Sequence, residues 1–112
     1  MDRLTLALLT FDVGVPAASP DAFADRVCAQ VREAWDDGAD LVVLPEFLWM
    51  GLEPFVAGED KLRGVAQLFW TDLWPRLAPR LAQADKGLVL GTVPFLGADG
   101  QLRNRAPIWD GV

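Results

Sequence analysis

Apolar residues along this chain follow two rhythms. Some form short unbroken runs, and others recur every three or four positions. Residues 4–9 and 41–44 are almost wholly apolar, and runs of that length, bounded by turn residues, predict strands buried on both faces. Between them Phe23, Val27, Val31, Ala34 and Trp35 fall at helical spacing and trace one apolar stripe. Ser19-Pro20-Asp21 supplies a hydroxyl N-cap, a proline for the first helical position and an acid for the positive first turn. Gly38 is placed to end the helix in a left-handed cap. Strand, helix and strand joined by short connections make a right-handed crossover, so the two strands are expected to be parallel.

A second helical rhythm starts at Glu59-Asp60 and runs through Leu62, Val65, Ala66, Phe69, Leu73, Leu77 and Leu81, with Gly87 marking its end. Pro75 and Pro79 lack amide hydrogens, so the helix is expected to kink or break near Trp74. Trp70 and Trp74 read as core or interface aromatics. Residues 88–93 predict a third strand, and Gly91 within it suggests close approach by another backbone. Gly97-Ala98-Asp99-Gly100 reads as a hairpin turn, residues 101–109 as an antiparallel fourth strand, and Asp110-Gly111 as a further turn.

Composition narrows the class. At 112 residues and 52% hydrophobic the chain is one globular domain with a real core. A net charge of −6, with no basic run, argues against nucleic acid as a partner. No apolar run approaches the roughly 18 residues of a membrane helix. Residues 1–19 superficially resemble a secretion signal, but Asp2 offsets Arg3, while Asp12 and Gly14 interrupt the run, so a first strand is preferred. A single cysteine suits the reducing cytoplasm, and with no histidine the chain lacks the usual zinc ligand set. No metal or other cofactor is expected. Cys28 falls mid-helix beside Ala24 and Val31, the setting of a small core residue rather than of an activated thiol.

The chemistry gathers after the second strand. Pro45 cannot continue a sheet ladder, so the strand stops there and delivers Glu46 to the sheet rim. Ligands in open α/β sheets collect outside the carboxyl ends of strands. An acid there, followed by Phe47, Leu48 and Trp49, is expected to be partly shielded from water, as a general base requires. On position alone the commoner reading is a strand-end carboxylate facing solvent. The aromatic-rich connection 47–55 reads either as a plug over the rim or as a pocket wall, with Phe47, Trp49 and Phe55 as substrate-pocket candidates. Glu53, held before Pro54 in an extended conformation, is a weaker candidate.

These landmarks come in a particular order. A parallel βαβ opening leads to Pro45-Glu46-Phe47 with Gly51 five residues after the acid. A helix follows, then Gly91-Thr92, the Asp99-Gly100 turn, and Asn104 with Ala106 before Asp110-Gly111. In this the chain resembles the N-terminal part of a carbon–nitrogen hydrolase of the nitrilase superfamily, over essentially its whole length. The resemblance implies hydrolysis of amide, nitrile or carbamoyl C–N bonds by a metal-independent Glu-Lys-Cys mechanism, with Glu46 as general base and a small-molecule amide or nitrile as substrate. It implies one half of an α-β-β-α sandwich: a mixed sheet of about four strands with two main helices.

Other residues depart from the family. Its Lys would follow Asp110-Gly111 and its Cys would lie further on. Lys61, Lys86 and Cys28 stand in the wrong order, and Arg103 replaces an aromatic residue before Asn104. Residues 1–112 are therefore expected to be an incomplete hydrolase domain, inactive alone, whose inner sheet face lacks its partner sheet. The competing expectation is a non-catalytic α/β interaction module that self-associates through that apolar face, and a homo-oligomer is open on either reading.

Overall fold

A computed structural model describes residues 3–12, 14–82 and 85–110. The fold is mixed α/β, with a four-stranded sheet in the order β1-β2-β3-β6 and a separate two-stranded hairpin, β4-β5. Strand β1 (Leu6–Leu8) leads through α1 (Pro20–Asp36) to β2 (Leu41–Val43). The pairing is parallel, with Leu6 opposite Leu41 and Leu8 opposite Val43. Both ends of α1 follow the local signals. The Ala22 N–H donates to Ser19 Oγ at 3.0 Å. At the other end Gly38, at φ +108°, lets its own N–H reach the Trp35 carbonyl and that of Ala39 reach the Ala34 carbonyl. That pair of bonds is a Schellman closure.

After a 3₁₀ segment (Leu48–Phe55) comes α2 (Lys61–Gln67), capped by Asp60, whose carboxylate accepts from the Arg63 N–H. The expected break near Trp74 takes the form of wide π-type turns over Leu68–Leu73 that carry the chain into α3 (Trp74–Leu81). Pro75 has no N–H to continue an α ladder, and the Trp74 N–H reaches instead to the Phe69 carbonyl. The helix ends at Leu81, so Gly87 is no terminator. It opens β3 (Gly87–Val89), where a Cβ would press on Leu41 and on the Asp40 carbonyl. Leu62, expected on the buried face, is 47% exposed.

Residues 88–93 are not one strand. Gly91-Thr92 separates β3 from β4 (Val93–Leu96), which pairs with β5 (Leu102–Arg105) across the expected turn. The fourth strand likewise divides at Ala106-Pro107, and β6 (Ile108–Trp109) returns antiparallel to β3. The Asp110-Gly111 turn lies partly outside the described residues. Among the described residues no helix is long and apolar enough to cross a membrane.

Side chains alternate across a sheet. Ala7, Val42, Leu88 and Trp109 face the helices in one row, and Leu8, Val43, Val89 and Ile108 form the opposite row. The first row joins the core with Val27 and Val31 of α1 and Leu77 and Leu81 of α3. Two ion pairs, Arg76–Asp21 and Arg80–Asp25, tie α3 to α1 at the surface. The second row is open at its two ends, where Leu8 is 70% and Ile108 66% exposed, with Val43 and Val89 half-buried between them; Leu6, on the same face, is 49% exposed. Burial of β1 on both faces is therefore corrected to burial on one. The hairpin β4-β5 packs on α2 and leaves the open sheet face uncovered.

Candidate functional site

Strand β2 ends at Val43, and Leu44 still donates its N–H to the Val89 carbonyl at 2.9 Å before Pro45 halts the ladder. Glu46 follows at the carboxyl end of the strand. Its neighbour Phe47 adopts the left-handed conformation, φ 59° and ψ 12°, a genuine outlier for a bulky side chain. This kink sends Leu48 and Trp49 into the core and leaves Glu46 and Phe47 outside. The partial shielding expected for Glu46 is therefore corrected: its side chain is exposed, and among the described residues its carboxylate has no hydrogen-bond or ionic partner.

The turn itself is held firmly. The Phe47 N–H donates to Thr92 Oγ1 at 3.1 Å, and buried Trp49 Nε1 donates to the Leu90 carbonyl at 3.0 Å. Gly91, at φ +82°, lies so close beneath that a Cβ built on it would come within 2.4 Å of the Pro45 carbonyl oxygen. The expectation that Gly91 marks a close backbone approach thus acquires a partner, the residue immediately before Glu46. What sequence reasoning missed is Thr92. A polar residue after a positive-φ glycine is the only signal that could have pointed to it.

The three pocket candidates separate. Phe47, 52% exposed, lines a cavity of about 340 Å³ with Leu62, Pro94, Leu102, Arg103 and Asn104. Leu62, turned away from the core, forms one of its apolar walls. Phe55 lines two other cavities, one beside Gly64, Leu68 and Thr71 and one beneath Val15, Pro16 and Gly51. Trp49 is corrected from pocket wall to core. Its ring stands 5.7 Å from Phe23 and 4.9 Å from Phe69 between centroids, and it presents no surface to a ligand. Glu53 is exposed.

Cys28, Lys61 and Arg103 are engaged elsewhere. Cys28 is buried on α1, and burial pushes its thiol up despite the opposing fields of Arg80 and Arg32. That is the opposite of what a nucleophile needs. Lys61 Nζ donates to the Val56 carbonyl. Arg103 forms a bidentate pair with Asp99, at 2.9 and 2.6 Å. Among the described residues no cluster of three or more His, Cys, Asp or Glu side chains could hold a metal ion. The arrangement offers an exposed carboxylate, unpartnered among the described residues, on a braced turn whose next residue, Phe47, lines a small cavity of mixed character. No protein-family model matches the chain, and no curated protein matches it.

Proposed function

We propose that this chain supplies the general base of a metal-independent carbon–nitrogen hydrolase, with Glu46 in that role. The observation that carries the reading is the position of Glu46, which follows the carboxyl end of the second parallel strand of a sheet whose one apolar face has no covering layer among the described residues. Such a face is the half of an α-β-β-α sandwich that awaits a second sheet. The chemistry needs a thiolate to attack the amide or nitrile carbon and a cation to stabilise the developing negative charge. Glu46 would take the thiol proton, pass it to the leaving nitrogen, and then draw a proton from the deacylating water. Cys28 cannot act as the thiol from inside the helix layer, so residues 1–112 are inactive alone. A second sheet laid on the Leu8–Val43–Val89–Ile108 row would also cover the rim and exclude water from Glu46, which strengthens proton-transfer chemistry there. Phe47 and the cavity beside it would contact the substrate. The lone buried thiol suits a cytoplasmic setting.

Reading the coding sequence past codon 112 tests this most cheaply. A downstream lysine, followed by a cysteine in a small-residue turn, supports it, and an immediate stop codon overturns it. Ammonia release from simple amides should be absent for residues 1–112. It should be present for the longer product and lost on Glu46→Gln.

The same bare face favours a second reading, a non-catalytic module that covers its sheet by self-association. Exposed apolar rows of this breadth are uncommon on monomers. Sedimentation discriminates, since a discrete dimer that melts cooperatively supports the module, and aggregation or a molten state supports the hydrolase fragment.

A further inference from the structure

We propose that Thr92 is a positioning residue for Glu46, a role that rests on the general-base reading above. Four ties join residues 44–49 to residues 89–92. They are the Leu44 N–H to the Val89 carbonyl at 2.9 Å, Trp49 Nε1 to the Leu90 carbonyl at 3.0 Å, the Phe47 N–H to Thr92 Oγ1 at 3.1 Å, and an approach of the Gly91 and Pro45 backbones that leaves no room for a Cβ at Gly91. The first continues the sheet and the second anchors a core side chain. The last two act on the peptides that flank Glu46.

The conformation they hold is an unfavourable one. An L-residue in the left-handed region crowds its Cβ against the carbonyl that follows, and the Phe47 side chain is half-exposed, so its own packing does not compel the kink, although the buried Leu48 and Trp49 that follow help to hold the turn. The Thr92 hydroxyl supplies the compensating bond at the amide that would otherwise be free to rotate with the turn. Relaxation of Phe47 to an extended or right-handed conformation would swing the Glu46–Phe47 peptide and re-aim the Glu46 side chain away from the rim. Strain kept at the residue after a candidate base, together with a side chain placed to hold it, is the pattern expected where direction matters to function. Thr92 lies two residues beyond Leu90, on the link between two separate sheets. Its place is therefore fixed by both sheets, and it can serve as a fixed post.

The test compares wild type with Thr92→Val, which keeps shape and removes the acceptor, and with Thr92→Ser, which restores it. Amide hydrogen exchange is read at Phe47, with the Leu44 and Leu90 amides as internal controls for global opening. Thr92→Val should speed exchange at Phe47 alone by about fivefold, the worth of one neutral hydrogen bond, and Thr92→Ser should bring it back. In the hydrolase read from the full coding sequence, Thr92→Val should lower kcat about tenfold with KM unchanged, as a small misplacement of a catalytic group does, with recovery in Thr92→Ser. Equal exchange at Phe47 in wild type and Thr92→Val overturns the proposal whatever the activity. If Glu46→Gln abolishes hydrolysis while Thr92→Val leaves kcat intact, the general base stands and the positioning role falls. If Glu46→Gln leaves hydrolysis intact, the general-base reading falls, and the role assigned to Thr92 falls with it even where the exchange result holds.

Discussion

Substituting Gly91 by alanine should do more damage than replacing any other positive-φ glycine among the described residues. Two costs add there. The first is conformational: φ is +82°, and an L-residue in that region costs about 1–2 kcal/mol. The second is steric. The new methyl would sit 2.4 Å from the Pro45 carbonyl oxygen, a backbone atom that cannot rotate aside. Moving that carbonyl shifts the whole Pro45-Glu46-Phe47 turn and strains the Leu44–Val89 and Phe47–Thr92 bonds on either side. Each such bond is worth about 1 kcal/mol net. The expected loss for Gly91→Ala is therefore about 3–4 kcal/mol, a large share of a small domain's stability. Gly38→Ala is the internal control, with φ +108° and nothing within 4 Å of its added Cβ. It bears the conformational cost alone, about 1–2 kcal/mol.

Urea denaturation followed by tryptophan fluorescence measures both variants, since Trp35 and Trp49 are buried and report on the core. The midpoints should separate clearly, with unchanged slopes. Equal losses at the two positions would refute the reasoning, because they would mean that Gly91 does not bear on the turn that carries Glu46.

Three further outcomes are expected. Cys28 should resist iodoacetamide in native buffer and react fully in urea, because burial raises its thiol and closes access to it; rapid native labelling would contradict its place in the helix layer. The Arg103 guanidinium, and after it the Gln101 N–H, hold the Asp99 carboxyl down at about 2 against an ordinary 3.8. A depressed carboxylate favours the fold above its unfolded value, and that contribution disappears as pH falls through about 2; carboxyl NMR on Arg103→Ala should show Asp99 titrating closer to 3.8. Leu8→Lys and Ile108→Lys, at positions 70% and 66% exposed, should each change the stability of the monomer by less than about 0.5 kcal/mol. Sedimentation at rising concentration should show them abolishing any self-association of residues 1–112, and persistence of a dimer in both would place its interface elsewhere.

How far the sequence could be read depended on whether a signal was local. The caps of α1 are local: Ser19, Pro20 and Gly38 each meet their partners within five residues, and all act as the sequence indicates. The parallel pairing of β1 with β2 follows from chain connectivity, which is also local. The division of 88–93 into two strands is different in kind. The run is apolar but for Gly91-Thr92, and it divides where Gly91 passes so close to the Pro45 carbonyl, 46 residues away in sequence, that no Cβ would fit. Proline at 107 could have suggested the break between β5 and β6.

The site shows the same divide. That Pro45 ends the strand and hands Glu46 to the rim was legible, because a missing amide hydrogen acts at its own position. That Glu46 lies open to water was not. Phe47-Leu48-Trp49 read as three aromatic and aliphatic shields in a row, and no local rule says that the first takes a left-handed turn while the other two enter the core. The turn becomes intelligible only with Thr92 and Gly91 beneath it, contributed by the link between two sheets. The bare row from Leu8 to Ile108 belongs to both levels. Its residues are apolar because, on the proposed reading, they are meant for burial, and Leu8 and Ile108 are exposed and Val43 and Val89 half-buried because α1 and α3 cover only the other face. A strand sequence written for two covered faces, in a fold that covers one, is the physical reason to look for a second layer over Glu46.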